Sequence, residues 1–132
     1  LSKYNRQFES VTLKVNSRKL SQKLFSFGFE NKKKGIADIL SNPDIINHHF
    51  IRGLYDGDGS IYGHQNDIQI SITSNNKKLL QEVKSSLPVK CSLNKKKNCY
   101  SLVVARPKQV KLFCDYIYDN ATTFLERKAF RP

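Results

Sequence analysis

The chain has 132 residues and a mass of 15.2 kDa, the length of one domain with a modest core. Lysine and arginine number 23 against 11 acidic residues, a net charge of +12, and such an excess draws a small folded domain toward a polyanion by Coulomb steering and counterion release from phosphates. No apolar stretch approaches the roughly 20 residues of a spanning helix and no signal-peptide pattern is present, so nucleic acid is favoured over a membrane as the partner of that charge.

In chain order, the opening at Leu1 rather than Met, almost directly into a strand pattern, points to a fragment. Residues 9–15 alternate, with Val11, Leu13 and Val15 on one face and Ser10, Thr12 and Lys14 on the other, which predicts a half-buried strand. Asn16 or Ser17 then caps a helix with Leu20, Leu24 and Phe27 on one face, stopped by Gly28. A basic turn over 31–35 and an apolar patch over 36–40 lead to Asn42-Pro43, which breaks the chain.

Asp44 or Asn47 caps the next helix, which runs to about Tyr55 with Phe50, Ile51 and Leu54 apolar. Beyond an Asp-Gly cluster, Ile68, Ile70 and Ile72 alternate with Gln69, Ser71 and Thr73. Ser74 or Asn75 caps a further helix with Leu79, Leu80, Val83 and Leu87 inward, and Pro88 closes it. Residues 89–93 and 100–105 make a hairpin around Asn94-Lys95-Lys96-Lys97-Asn98. Pro107 suits a helix start, Val110, Phe113, Ile117 and Tyr118 continue its stripe, and 121–132 reads as a short helix ending in a basic cluster.

The strand-to-helix passage at 11–20 echoes the one at 68–79: Val-Thr-Leu-Lys-Val then Asn-Ser-Arg-Lys-Leu, against Ile-Gln-Ile-Ser-Ile then Thr-Ser-Asn-Asn-Lys-Lys-Leu. Two related halves explain the echo; a chance likeness of two such turns is the alternative. The three cysteines, Cys91, Cys99 and Cys114, form no C-x-x-C pair and have no histidine at zinc-like spacing. Their odd number argues against a disulfide-built secreted domain, so a reducing compartment, cytoplasm or organelle matrix, is expected.

Residues 49–61 read HFIRGLYDGDGSI, an apolar helical run ending in two aspartates interleaved with glycines. A calcium loop starting at Asp56 would need glycine where Ile61 stands and a bidentate glutamate where Asp67 stands, so that reading fails. Gly53 and Gly57, four apart, would let a partner helix approach closely. Phosphodiester hydrolysis needs divalent cations that activate water and stabilise the leaving oxygen, hence hard oxygen ligands near the phosphate. Asp58, at the helix foot between two glycines, is the best candidate. His48 and His49 point about 100° apart on a helix and His64 stands alone in a loop, so surface or capping roles suit them. Arg52 either faces DNA or neutralises a helix end.

Gly53-Leu54-Tyr55-Asp56-Gly57-Asp58-Gly59 resembles the G-L-I-D-A-D-G signature of the LAGLIDADG homing endonucleases. The resemblance implies an α+β fold: an αββαββα repeat whose saddle-shaped antiparallel sheet is covered by helices on one face. On that pattern residues 1–44 are the remainder of a first repeat lacking its motif helix and 45–132 a complete second repeat, together one compact domain. The family's second aspartate ligates metal, here Asp58, with the Gly57 carbonyl beside it and Mg²⁺ or Mn²⁺ as the ion; Asp56 would support the helix end. The family's catalytic lysine falls at Lys34 in the first repeat, with Lys33 and Lys32 as competitors, and at Lys128 in the second. Lysine suits that task because its compact ammonium stabilises phosphorane charge or polarises a water network.

A two-motif enzyme has a first acidic helix before its first strand, and none stands upstream of Glu9. Either an N-terminal half is missing, the favoured reading, or two chains pair through the helical residues 46–55, with Ile46 and Tyr55 at its ends. If the isoleucines of 68–72 face the helices, Gln69, Ser71 and Thr73 face outward, joined by Thr12, Lys14, Lys90, Ser92 and Asn94. Such a ribbon can read major-groove edges while Lys95, Lys96 and Lys97 reach phosphates. The resemblance thus implies a site-specific double-stranded DNA endonuclease, or a fragment of one that binds but cuts poorly. The alternatives are a non-cleaving binder of the same fold, an intron maturase or transcription regulator, and a basic RNA-binding or ribosomal component without the fold. Retention of Asp58 favours cleavage, and the helix with its Asp-Gly cluster argues against the last.

Overall fold

The computed structural model describes residues 9–26 and 43–129. In the first segment Ser17 caps helix α1 (Arg18–Ser26), its Oγ accepting from the Leu20 N–H at 3.2 Å, as the sequence allowed. None of the α1 residues is buried. The alternating stretch before it forms no strand, and Val11 and Leu13 are 98% and 89% exposed. This corrects the half-buried strand predicted over 9–15. Alternation supplies an apolar face, but a strand exists only by hydrogen bonding to a neighbour, and no described strand pairs with it. Phe27, Gly28, the basic turn with Lys32, Lys33 and Lys34, and the apolar patch 36–40 lie outside the described residues.

The second segment builds the expected αββαββα order. Helix α2 (His48–Asp58) is capped by Asn47, whose Oδ1 accepts from the backbone of His49 and Phe50 at 3.0 and 3.1 Å; such a cap satisfies two otherwise orphaned amides. It leads straight into β1 (Gly59–Tyr62), which pairs with β2 (Gln69–Ser74). Helix α3 (Lys77–Ser86), β3 (Ser92–Lys95), β4 (Tyr100–Ala105) and α4 (Pro107–Ile117) follow, then a 3₁₀ turn at Glu126–Lys128 where a short helix was expected. No described helix is long and apolar enough to cross a membrane.

The sheet is wholly antiparallel, in the order β1-β2-β4-β3. Its register sets Ile61 and Val104 opposite Ile70, and Leu102 opposite Ile72. One face is therefore apolar, and the three helices of this segment cover it: Ile51 and Tyr55 from α2, Leu79, Leu80 and Val83 from α3, and Val110, Phe113 and Ile117 from α4. Each such side chain removed from water contributes about 1.5–3 kcal/mol before entropy is counted. Tyr55 meets Phe113 edge-on, ring centroids 5.5 Å apart.

Local chemistry shifts some predicted boundaries. Asn76, not Ser74 or Asn75, caps α3, accepting from the Leu79 N–H at 3.0 Å, because β2 runs on to Ser74. Ser74 Oγ supports the cap instead by accepting from the Asn76 N–H. The hairpin strand is Ser92–Lys95 rather than 89–93, its turn closed by the Lys96 N–H donating to the Cys99 carbonyl at 2.8 Å.

Candidate nucleic-acid and metal site

Helix α2 ends three residues later than its apolar stripe suggests, because its last carbonyls have partners. The Gly59 N–H donates to the Tyr55 carbonyl. Lys128 comes in from the C-terminal strap, and its ammonium donates to the carbonyls of Asp56 and Gly59 at 2.7 Å each and of Tyr55 at 3.2 Å. Lys128 is buried, 7% exposed. A buried ammonium is costly unless each N–H finds an acceptor, and here three do, at the negative end of a helix dipole. The ring of Tyr55 lies 5.7 Å from the same ammonium, and its hydroxyl donates to the Lys128 carbonyl at 3.0 Å.

Asp56 ties the same strap down from the other side. Its carboxylate accepts from the Tyr118 hydroxyl at 3.0 Å and from the Leu125 N–H at 3.1 Å. Burial pushes the Tyr118 phenol well above its ordinary value, and the hydrogen bond to Asp56 pushes it further. Burial raises Tyr55 likewise. Arg52 neutralises a helix end, its Nη1 donating to the Ile117 carbonyl in the last turn of α4 at 3.0 Å, which resolves the choice the sequence left open.

Asp58 differs from all of these. It is exposed, and among the described residues its carboxylate takes part in none of the hydrogen bonds around the helix foot. Gly57, the residue before it, and Gly53, about one turn before that, are also exposed, and a Cβ added at either would meet nothing within 4 Å. A cleft of about 270 Å³, lined by Gly59, Ser60, Ile61, Arg127 and Lys128, opens beside the start of β1. Asp58 and the Gly57 carbonyl are the hard oxygen donors that a divalent ion prefers. Among the described residues no three His, Cys, Asp or Glu side chains cluster. Asp58 and the Gly57 carbonyl are thus two oxygen donors without a third carboxylate, histidine or cysteine beside them among the described residues. The second lysine position, Lys34, lies outside the described residues.

The uncovered face of the sheet carries the residues that strand parity assigned to it. Gln69, Ser71 and Thr73 on β2 stand opposite Ala105, Val103 and Ser101 on β4, and Ser92 and Asn94 on β3 stand opposite Val103 and Ser101. Ser60 and Tyr62 on β1 extend this face past Ser71 and Gln69, with the Tyr62 hydroxyl donating to Gln69 Oε1 at 3.0 Å. Lys90 is exposed just before β3, its N–H donating to Gln109 Oε1. Lys95 ends β3 in register with Tyr100, on the helix side, yet is exposed, as are Lys96 and Lys97 in the turn. Lys14 is exposed in the unpaired stretch before α1, apart from any strand.

Sequence reasoning missed several of these residues. Ser60 and Tyr62 sit in a four-residue strand too short for alternation to show. Val103 was hidden because Leu102, Val103 and Val104 form an unbroken apolar run. Arg106 takes the strained φ of 76° in front of α4, which no local pattern announces beyond the proline that follows it. The carbonyl cage of Lys128 spans about seventy positions and leaves no local signal.

With this geometry in place, comparison with known proteins gives one result: a family model described as a LAGLIDADG-like domain matches residues 47–118. That stretch runs from the Asn47 cap through the whole sheet to the end of α4. No curated protein and no solved structure matches the chain.

Proposed function

This chain belongs to the LAGLIDADG family, and from that premise we propose that it is the cutting and reading domain of a site-specific, Mg²⁺-dependent double-stranded DNA endonuclease. One observation carries the reading. Of the two motif aspartates, Asp56 is engaged in holding the helix foot, while Asp58 is left exposed beside it. A carboxylate held out on a rigid, doubly clamped helix end is preorganised for a cation at a phosphate. Asp58 and the Gly57 carbonyl would hold the ion, and the ion would supply water activation and stabilisation of the leaving oxygen.

The outward face of Gln69, Ser71, Thr73, Ser92 and Asn94 would lie in the major groove, whose edges carry a distinct donor and acceptor pattern for each base pair. Lys90, Lys95, Lys96 and Lys97, with the net charge of +12, would hold phosphates. Lys128 would act from beneath, fixing the backbone that presents Asp58; Lys34 would serve the first repeat. Because one chain brings one such aspartate, a complete site needs a second motif helix. The open stripe at Gly53 and Gly57 supports pairing there, with an N-terminal half or a second copy.

A second reading, a non-cleaving binder such as a maturase or regulator, is favoured by one observation. The Lys128 ammonium spends its donors on three backbone carbonyls rather than on a substrate. The two readings separate on duplexes selected from a randomised pool by binding to the chain and then incubated with Mg²⁺. The nuclease reading expects nicks or double-strand breaks, lost in Asp58→Asn with binding and melting temperature kept. Tight binding with no cutting by the unaltered protein, alone or joined to a second motif helix, would establish the binder instead.

A further inference from the structure

The uncovered sheet face is polar except in one place. On β4, Val103 and Ala105 point to the same side as Ser71 and Gln69 on β2, and Val103 also stands opposite Ser92 on β3. The apolar side chains of the core belong to the other face, which the helices cover, so core packing does not account for these two. Both are half-buried. They form the floor of a groove of about 410 Å³ whose rim carries Lys90, Ser92, Arg106 and Gln109.

An apolar floor between hydroxyls, under a cationic rim, is a chemical description of what fits it. The cations and the charge of the whole chain select a polyanion. In the duplex major groove the polar edges are matched by Ser, Gln and Asn, and the apolar group presented there is the C5-methyl of thymine. We propose that Val103 and Ala105 are specificity-determining residues that read thymine by its methyl group, so that the preferred site carries thymine under the end of β4 nearest Arg106. This rests on the DNA-binding reading above and adds to it a base identity and the atoms that recognise it.

The test uses the chain as it stands and a duplex selected by it from a randomised pool. Each thymine in turn is replaced by deoxyuridine, which deletes the methyl and leaves every hydrogen-bonding edge unchanged. At one or two neighbouring positions the substitution should weaken binding about threefold to fivefold, the factor that burying one methyl group supplies. Elsewhere it should have no effect. In Val103→Thr, which keeps the branched shape that suits a strand but puts a hydroxyl in place of one methyl, the ratio of thymine to uracil affinity at those positions should fall toward one. The melting temperature should stay unchanged, because the side chain lies off the core face.

Uniform indifference to the methyl in a duplex that still binds tightly would overturn this inference and leave the DNA-binding reading standing. A methyl effect that persists unchanged in Val103→Thr and in Ala105→Ser would also overturn it, by placing the contact elsewhere. Failure to retain any duplex from the pool at low salt would overturn both.

Discussion

Lys128 and Gly59 are 69 positions apart in sequence, yet the ammonium of the first donates to the carbonyl of the second at 2.7 Å. The bond closes the strap after α4 onto the point where the motif helix becomes the first strand. Lys128→Met keeps the aliphatic stem but removes the cation from three carbonyls. Hydrogen bonds to a charged group contribute about 1.5–3 kcal/mol, so a destabilisation of about 2–3 kcal/mol is expected, read as a lower urea midpoint at unchanged m. If the same variant melted like the unaltered chain and lost only cleavage, Lys128 would be acting on substrate rather than on the helix.

Tyr55 and Tyr118 give this region an alkaline limit. Burial raises both phenols above their ordinary value, and Tyr118 is raised further by donating to Asp56. The folded chain then keeps protons that the unfolded chain gives up near pH 10, so stability is fully present below that pH and falls as pH rises above it. Of the six tyrosines, these two should stay un-ionised in tyrosinate absorbance until the fold is lost, and Tyr118→Phe should remove one of the two late ionisations. All six titrating together on a fold that remains intact would contradict the half-buried hydrogen bond between Tyr118 and Asp56.

The hairpin lysines separate phosphate attraction from base reading. Lys95, Lys96 and Lys97 are exposed and none belongs to the core, so changing all three to glutamine leaves the fold in place. Each phosphate that is no longer neutralised lowers the slope of log affinity against log salt by about 0.9. The triple variant should therefore have a slope shallower by about two to three units, with its order of preference among duplex sequences unchanged. An unchanged slope would put the phosphate-binding cations elsewhere on the surface.

Much of this arrangement is legible in the sequence. The motif helix and the outward set on β2 and β3 follow from period-two and helical alternation, which report which face an element buries, whereas the αββαββα order comes with the family resemblance because β1 is only four residues long. A short polar side chain preceding an apolar stripe marks Asp44 and Asn47 alike as caps, and the structure selects Asn47. What alternation cannot report is whether a partner exists: residues 9–15 have the pattern of a half-buried strand, and Val11 stands almost wholly exposed. Nor does it report side chains that act across the chain. The family resemblance already sets Asp56 at the helix end and Asp58 at the metal, but the Tyr118 hydroxyl and Leu125 N–H that clamp Asp56 approach from more than sixty positions away and leave no local signal.

The glycines of the motif make opposite demands, and substituting them separates folding from pairing. A Cβ at Gly59 would fall against the Tyr55 ring and 2.5 Å from the Tyr55 carbonyl oxygen. The backbone there has no room to move without opening the Lys128 cage, so Gly59→Ala should cost about 1–3 kcal/mol, as overpacking does. At Gly53 and Gly57 the added methyl meets nothing within 4 Å. Alanine is the better helix former by about 0.8–1.0 kcal/mol per residue, so Gly53→Ala and Gly57→Ala should each raise the melting temperature of the isolated chain. If the stripe they form is where a second motif helix packs, the same changes must hold that helix away, since small residues allow the backbones to approach. Sedimentation of the chain mixed with a second motif-bearing half, or at high concentration alone, should then show weaker association in the very variants that melt later. A gain in stability with association undiminished would move the pairing surface off this helix.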